Sequence, residues 1–272
     1  MIPLNIAHRG ARSLAPENTL PAAEKALEVG ADMWEFDVGL TADGEMILIH
    51  DDTLERTSNV AEIFPDRAPW ALHTFTLAEI RQLDFGTWFK QTDPFEQIAA
   101  GQVSTAALVS YTGVQAPTLA EALTFTHEQK WRANVEIKDM TNTPNDAHGV
   151  EKIVALVESM MTTEQVIISS FNHDYLKRVK IANSIMPIGA LIYQPIDNPL
   201  ALVQTLGASA YHPRKNLIDA ETITDLHQHG VAVNVWTVND EALLRHFIGA
   251  KVDGIMTDFP QRLDELGMRN EE

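Results

Sequence analysis

The sequence predicts an α/β protein built as a (β/α)8 barrel, the TIM-barrel architecture, and three observations point to it. Extended and helical patterns alternate along most of the 272 residues. One of the extended segments is the return arm of a hairpin, which leaves eight β-then-α units. Ionisable side chains recur where the predicted strands end, as at the mouth of such a barrel. A doubly wound open sheet is the weaker alternative, because no G-x-G-x-x-G turn supports it.

The predicted elements follow one another along the whole chain. The extended segments are residues 5–8, 33–38, 46–50, 133–138, 166–171, 188–193, 208–212, 231–237 and 254–257. The helical segments are residues 20–29, 119–130, 146–160, 174–183, 200–206, 220–229, 241–248 and 261–266. Asp219 and Asn239 are expected to cap the N-termini of their helices, and Gly30 and Gly230 to end the helices that precede them.

One region departs from the regular alternation. Asp43 and Gly44 lie between two apolar stretches and indicate a hairpin, so residues 46–50 should return antiparallel above the sheet. Residues 53–116 then lie outside the β/α repeat. A stretch of this length is usually an ordered insertion that forms a lid or a pocket wall, and its aromatic residues argue against a floppy loop. We expect one domain over residues 1–272, with 53–116 as an inserted subdomain.

Composition excludes some function classes. The net charge of -18 argues against a nucleic-acid partner, although a few local cations or a metal would still admit a small anion. The absence of cysteine excludes disulfides and thiolate chemistry. No apolar run is long enough to span a bilayer, and the first residues lack the pattern of a secretory signal. We therefore expect a cytoplasmic location, unless a signal was trimmed, and leave a homodimer open.

Three carboxylates are candidate metal ligands. Glu35 and Asp37 lie two residues apart on a predicted strand, so both side chains point to the same face. Glu136 stands at the matching level of the next barrel strand. Close carboxylates repel one another unless a proton or a cation lies between them. The set suggests a hard divalent ion, Mg²⁺ or Ca²⁺, with Mn²⁺ also possible. The alternative is a group of salt bridges with Arg9 and Lys138.

Two histidines and two cations complete the candidate site. His8 ends the first predicted strand, and His50 ends the hairpin arm that returns to the barrel mouth. Two imidazoles near a metal can serve as general base and general acid near neutral pH. Arg9 and Lys138 both suit a phosphate group. The residue types alone indicate metal-dependent phosphoester or enolate chemistry.

Sequence motifs add a resemblance to a known family. The segments are HRG followed five residues later by PENT, then EFDVGLTADG, HDDTLERTS, LDFGTWF, APTLAEAL, NVEIK, SSFNHDYL, VNVWTVN and DGIMTDFP. Together they closely resemble the glycerophosphodiester phosphodiesterase family, in the family's own order and over nearly the whole chain. Each motif alone is modest support, whereas the ordered set is highly specific.

The resemblance implies a role for each candidate residue. It implies a barrel with an insertion after the second strand and a divalent metal held by the three carboxylates. It implies His8 and His50 as the acid–base pair, and Glu17 and Asn18 of PENT as a brace for the mouth. The substrate contacts that it implies are Arg9, Lys138, Phe171, Trp236, Trp88 and Phe89. For the two aromatics Phe171 and Trp236, simple barrel packing is an equal alternative.

We therefore expect hydrolysis of glycerophosphodiesters, such as glycerophosphocholine and glycerophosphoethanolamine, to sn-glycerol 3-phosphate and an alcohol. The attacking oxygen is either a water on the metal or the glycerol hydroxyl next to the ester. An alternative is phospholipase-D-like or lyase action on lysophospholipids by the same site, which needs an apolar groove beside the insertion. A binding protein without turnover is disfavoured, because the chain keeps both histidines and all three carboxylates.

Overall fold

The computed structural model describes residues 2–266, apart from the side chain of Asp264. The strands are β1 Leu4–His8, β2 Met33–Leu40, β3 Met46–Leu48, β4 Ala133–Ile137, β5 Val166–Ser170, β6 Ile188–Ile192, β7 Ala210–Pro213, β8 Ala232–Val235 and β9 Gly254–Thr257. The helices of the barrel are α1 Leu20–Glu28, α6 Leu119–Glu128, α7 Gly149–Met160, α8 His173–Ala182, α9 Pro199–Leu206, α10 Ala220–Gln228, α11 Glu241–Gly249 and α12 Pro260–Glu265. Short helices lie between β3 and α6, namely α2 Val60–Ile63, α3 Leu77–Ile80, α4 Thr87–Thr92 and α5 Thr105–Ser110.

Eight parallel strands close into the predicted barrel. The strand order is β1-β9-β8-β7-β6-β5-β4-β2, and β1 pairs in parallel with both β9 and β2, which completes the ring. Alternate side chains of each strand therefore point into the barrel or outward against the surrounding helices. The open doubly wound sheet is excluded, because such a sheet leaves two unpaired edges.

The ninth strand, β3, is the predicted hairpin arm. It runs antiparallel to the last residues of β2, with Val38 opposite Leu48 and Leu40 opposite Met46. Gly44 takes a φ of 77° in the turn, a conformation that glycine adopts without steric cost. The arm ends at Leu48, so His50 follows the strand and lies in the segment that turns back over the barrel mouth.

The segment from 53 to 116 is ordered and has a hydrophobic core of its own. This second core also uses side chains from the hairpin arm, and its buried members are Ile47, Ile49, Leu54, Val60, Leu72, Phe75, Ile80, Leu83, Phe85 and Ala116. Thr76 and Glu79 form a capping box at the start of α3. The floppy-loop alternative is therefore wrong for this segment. Because Ile47 belongs to the hairpin arm and Ile49 follows the arm directly, the insertion fixes the position of the chain that leads to His50.

Three of the four residues predicted to begin or end a helix do so in the structure. Asp219 caps α10 by accepting a hydrogen bond from the amide of Thr222, and Gly30 and Gly230 follow their helices with positive φ. The prediction that Asn239 caps α11 is wrong. Asp240 caps that helix, because the side chain of Asn239 is engaged elsewhere at the barrel mouth. Among residues 2–266, no helix is both long and apolar enough to cross a membrane.

Candidate active site

Three barrel strands bring the predicted ionisable residues to one place. His8 of β1 lies opposite Glu35 of β2, and Asp37 of β2 lies opposite Glu136 of β4. Because these residues alternate along parallel strands, their side chains all face the barrel interior at its C-terminal end. The register therefore assembles the carboxylates that the sequence singled out.

The three carboxylates form one buried cluster. Glu35, Asp37 and Glu136 are 1%, 0% and 7% exposed, and each offers an oxygen within 4.8 Å of the others. Burial, and then the negative charge of Asp37, raise the pKa of both glutamates. Burial alone would also raise the pKa of Asp37, but Arg9, Lys138 and other neighbours hold it well below its usual range. The cluster is thus a concentration of carboxylates with little access to water.

Ion pairs neutralise the cluster only in part. The Arg9 Nε lies 3.2 Å from one oxygen of Asp37, and the Lys138 Nζ lies 2.8 Å from Glu136 and 3.5 Å from Asp37. The salt-bridge alternative is therefore present in the structure. Even so, Glu35 Oε1 and Asp37 Oδ1 are buried with no hydrogen-bond partner among the described residues. Buried carboxylate oxygens that accept no hydrogen bond, one of them 3.5 Å from Lys138, fit a hard divalent cation, which binds oxygen ligands.

His8 is oriented by a carboxylate from the far end of the chain. Its Nδ1 lies 2.6 Å from Asp258, and its Nε2 lies 4.0 Å from Glu35. Asp258 also accepts a hydrogen bond from Asn239, at 2.6 Å, and lies 3.6 Å from Arg12. Burial lowers the pKa of His8, and the positive charge of Arg9 lowers it further. Asp258 opposes this effect. A neutral imidazole held in this way has Nε2 available for proton transfer.

His50 is held by the carboxylate next to it in sequence. Its Nδ1 lies 2.6 Å from Asp51 Oδ1. Arg56 donates two hydrogen bonds to the same carboxylate, from Nε at 2.5 Å and from Nη2 at 3.1 Å. Burial would raise the pKa of Asp51, but the hydrogen bonds from His50 and Arg56 hold it well below its usual range. Each candidate catalytic histidine thus has a charged carboxylate on Nδ1.

Glu17 of the PENT motif joins the two halves of the site. Its carboxylate lies 2.8 Å from Arg9, 2.6 Å from Arg12 and 2.7 Å from Arg56. Arg12 also lies close to Asp258, the partner of His8, and Arg56 also pairs with Asp51, the partner of His50. Glu17 is 4% exposed. A chain of ion pairs therefore runs from one histidine to the other through Glu17, which fits the bracing role that the resemblance implies for this motif.

The backbone after β1 is shaped to hold this arrangement. Arg9, Gly10 and Asn18 all have positive φ, at 56°, 78° and 55°. A Cβ at Gly10 would lie 2.6 Å from the carbonyl carbon of Ala22, so the tight approach of α1 requires glycine here. Asn18 then exchanges hydrogen bonds with Asp37, donating to its carboxylate at 2.8 Å and accepting from its amide at 3.1 Å. The segment with these positive φ angles thus fixes the position of Asp37, the most buried of the three carboxylates.

A cavity of about 280 Å³ occupies the centre of the mouth. Both histidines, Arg9 and two of the three carboxylates line it. Phe171 and Trp236 form one wall, with ring centroids 5.4 Å apart in an edge-to-face arrangement. The indole nitrogen of Trp236 donates to the carbonyl of His212 at 2.8 Å, which fixes the ring. Both aromatics therefore lie where a substrate bound at the carboxylates would touch them.

The structure does not bring Trp88 and Phe89 to this cavity. Phe89 is fully buried in the main core, where its ring lies 5.9 Å from that of Tyr111. Trp88 is partly buried and donates from its indole nitrogen to the carbonyl of Phe85 at 2.9 Å. The predicted substrate contacts of these two residues have no support in this geometry, because α4 turns them toward the core rather than toward the mouth.

The sequence analysis assigned no role to several residues of the site. Asp51 could have been found, since it follows His50 directly in HDD. Asp258 is 250 residues from His8, so only the closure of the barrel between β1 and β9 brings them together. Arg56 has a weaker signal, its place in the ERTS segment beside the hairpin. The completed mouth combines a candidate cation site with two oriented imidazoles, groups that can serve metal-assisted hydrolysis of an ester.

The chain belongs to the glycerophosphoryl diester phosphodiesterase family, whose family model matches residues 8–262. It is 34% identical over 265 residues to a glycerophosphodiester phosphodiesterase of Caldanaerobacter subterraneus subsp. tengcongensis, and the alignment covers 97% of both chains. A glycerophosphodiester phosphodiesterase of Bacillus altitudinis is 31% identical, with 94% of each chain covered. The protein is accordingly a phosphoric diester hydrolase.

Solved structures resemble the fold over its full length. A phosphodiesterase of Oleispira antarctica, in complex with the product sn-glycerol-3-phosphate, superposes with a TM-score of 0.79 at 25% identity, covering 97% of this chain and 96% of that one. A putative glycerophosphoryl diester phosphodiesterase of Silicibacter pomeroyi superposes with a TM-score of 0.81 at 26% identity, covering 98% and 94%. These similarities agree with the closed barrel described above.

The ion pairs of Glu17 predict that the stability of the protein changes with pH. Burial alone would raise the pKa of Glu17, but Arg12, Arg9 and Arg56 lower it to about 2 from the ordinary value of 4.5. A carboxylate whose pKa is lower in the folded state contributes its full stabilisation of the fold at pH values above its unfolded pKa. This contribution disappears as the pH falls through the folded pKa. We expect Glu17→Gln to cost about 3 kcal/mol at neutral pH, from the size of the shift.

Urea unfolding of wild type and Glu17→Gln between neutral pH and pH 2 measures this effect. The difference in the free energy of unfolding should shrink as the pH falls from 4.5 toward 2, the interval between the two pKa values. The matched control is Glu24→Gln, at an exposed position, which should change stability by less than about 0.5 kcal/mol. A difference that stays constant across this interval would contradict the role given to the Glu17 charge.

Proposed function

We propose that the chain hydrolyses glycerophosphodiesters, such as glycerophosphocholine and glycerophosphoethanolamine, to sn-glycerol 3-phosphate and an alcohol. The observation that carries this proposal is the cavity in which two carboxylate-held histidines face one cluster of buried carboxylates. The product sn-glycerol-3-phosphate, bound in the structurally similar Oleispira antarctica phosphodiesterase, supports the same substrate class. We also propose that Glu35, Asp37 and Glu136 hold a divalent ion, Mg²⁺ or Ca²⁺ and alternatively Mn²⁺.

The charges of the site support binding of a phosphodiester. With all groups ionised, three carboxylates face Arg9 and Lys138, which leaves one negative charge in excess. A bound divalent ion reverses this to one positive charge, which matches the single negative charge of a phosphodiester. Arg9 and Lys138 would then share their donors with the phosphoryl oxygens. When bound, the ion would polarise those oxygens as a Lewis acid.

The two histidines supply the proton transfers of the proposed reaction. One imidazole takes the proton from the attacking oxygen, and the other gives a proton to the alkoxide as its bond to phosphorus breaks. Asp258 and Asp51 each hold Nδ1 of a histidine, which leaves Nε2 of His8 and of His50 for these transfers. The fixed orientation lowers the entropic cost of reaching the reactive arrangement.

Removing either imidazole should stop efficient turnover. We expect His8→Ala and His50→Ala each to lower kcat at least about a hundredfold, the usual contribution of general acid–base catalysis. The matched control is His227→Ala. His227 lies on α10 and pairs with Asp253, away from the mouth. Initial rates with glycerophosphocholine measure the effect. Near-normal kcat in a folded His8→Ala or His50→Ala variant would remove that histidine from the reaction.

The substrate class and the metal can be tested in one assay. Release of glycerol 3-phosphate is followed from glycerophosphocholine and glycerophosphoethanolamine, with Mg²⁺, Ca²⁺ and Mn²⁺ supplied in turn. We expect activity with at least one of the ions, loss of activity after thorough chelation, and recovery when the ion is restored. Full activity after chelation would refute the metal requirement, and no release with any ion would refute the substrate class.

A further inference from the structure

A second cavity, of about 340 Å³, lies beside the catalytic mouth, and we call it the outer cavity. It is bounded by the end of β2, by the insertion and by the loop that follows β4. Its apolar wall consists of Leu40, Ile49, Ala71, Leu72 and Met140. All but Ala71 are buried in the protein, so this wall is a fixed surface rather than a flexible rim.

A third cavity, of about 370 Å³, lies between the outer cavity and the catalytic centre and shares lining residues with both. It shares His50 and Phe171 with the central cavity, and shares Asp52 and Asp139 with the outer cavity. His50 therefore lies on the path between the two spaces, whereas His8 lines the central cavity alone among these three cavities. A diester whose phosphate sits at the carboxylate cluster can extend one of its arms past His50 into the outer cavity.

The path is acidic where it enters the outer cavity. Asp51, Asp52 and Asp139 line both spaces there, and the one lysine beside them, Lys138, is engaged with the catalytic carboxylates. Asp51 is neutralised by its own partners, as described above. Asp52 is exposed, and its carboxylate has no ion pair or hydrogen bond among residues 2–266. A carboxylate without an ion pair thus lines the same cavity as the apolar wall.

We infer that the outer cavity binds the leaving alcohol of the diester and selects alcohols that carry an ammonium or quaternary ammonium group. The carboxylate of Asp52 matches the positive charge, and the apolar wall matches the carbon atoms around it. The volume lies at the low end of ligand sites, which suits a small head group rather than a long acyl chain. The inference rests on the proposed function and adds the chemical class of the alcohol.

This placement also assigns the direction of proton transfer. The bond between phosphorus and the alcohol oxygen breaks while the attacking oxygen forms a new bond to phosphorus. His50, on the path to the outer cavity, gives its proton to the departing alkoxide. His8, on the other side of the phosphate, receives the proton of the attacking oxygen. The alcohol then leaves through the outer cavity.

The test compares kcat/KM for two substrates, glycerophosphocholine and the neutral glycerophosphoglycerol. The measured quantity is the ratio of the two values. We expect Asp52→Asn to lower the preference for the choline ester about fivefold, the upper range for one exposed ion pair, and Asp52→Lys to lower it further. The matched control is Asp66→Asn, an exposed aspartate of the insertion outside these cavities, which should leave the ratio unchanged.

A second variant tests the cavity by shape rather than by charge. Ala71→Trp places a large ring in the outer cavity, so KM should rise more for glycerophosphocholine than for the smaller glycerophosphoethanolamine. A preference ratio that is the same in wild type, Asp52→Asn and Asp52→Lys would overturn the inference. Absence of activity on every glycerophosphodiester would instead refute the proposed function, and the inference with it.

Discussion

The structure depends on one electrostatic constraint, the burial of three carboxylates at the mouth of the barrel. Glu35, Asp37 and Glu136 are held within 4.8 Å of one another by strand register, with little access to water. Removing carboxylates from water is costly, and placing like charges together adds to that cost. The fold can keep this cluster charged only by surrounding it with cations. The positions of the nearby lysine and arginines follow from this requirement.

The counter-charges also organise the rest of the site. Arg9 pairs with the cluster on one side and with Glu17 on the other, so its position is fixed from both ends. Glu17 in turn holds Arg12 and Arg56, which extend to the carboxylate partners of the two histidines. The proposed metal ligands, phosphate contacts and acid–base groups are therefore parts of one connected charge network. A substitution in it should disturb neighbours that it does not touch.

Local patterns predicted much of this arrangement, and long-range closure supplied the remainder. Glu35 and Asp37 could be placed on one face because strand side chains alternate, and the Asp-Gly turn predicted the hairpin before His50. The partner of His8 could not be found in this way, because Asp258 reaches it only when the last strand closes the barrel. The place of Phe89 in the core could not be found from its motif, because a short motif does not show which face of an insertion helix packs inward.

The central claim is that the carboxylate cluster is a site for a divalent cation, and direct binding tests it. Isothermal titration calorimetry with Mg²⁺, Ca²⁺ and Mn²⁺ compares wild type with Glu35→Gln, which keeps the shape of the side chain and removes its charge. The account predicts binding of one ion per chain to wild type and binding at least about tenfold weaker to the variant. Equal affinity in the two proteins, or no binding of any of the three ions to wild type, would contradict it.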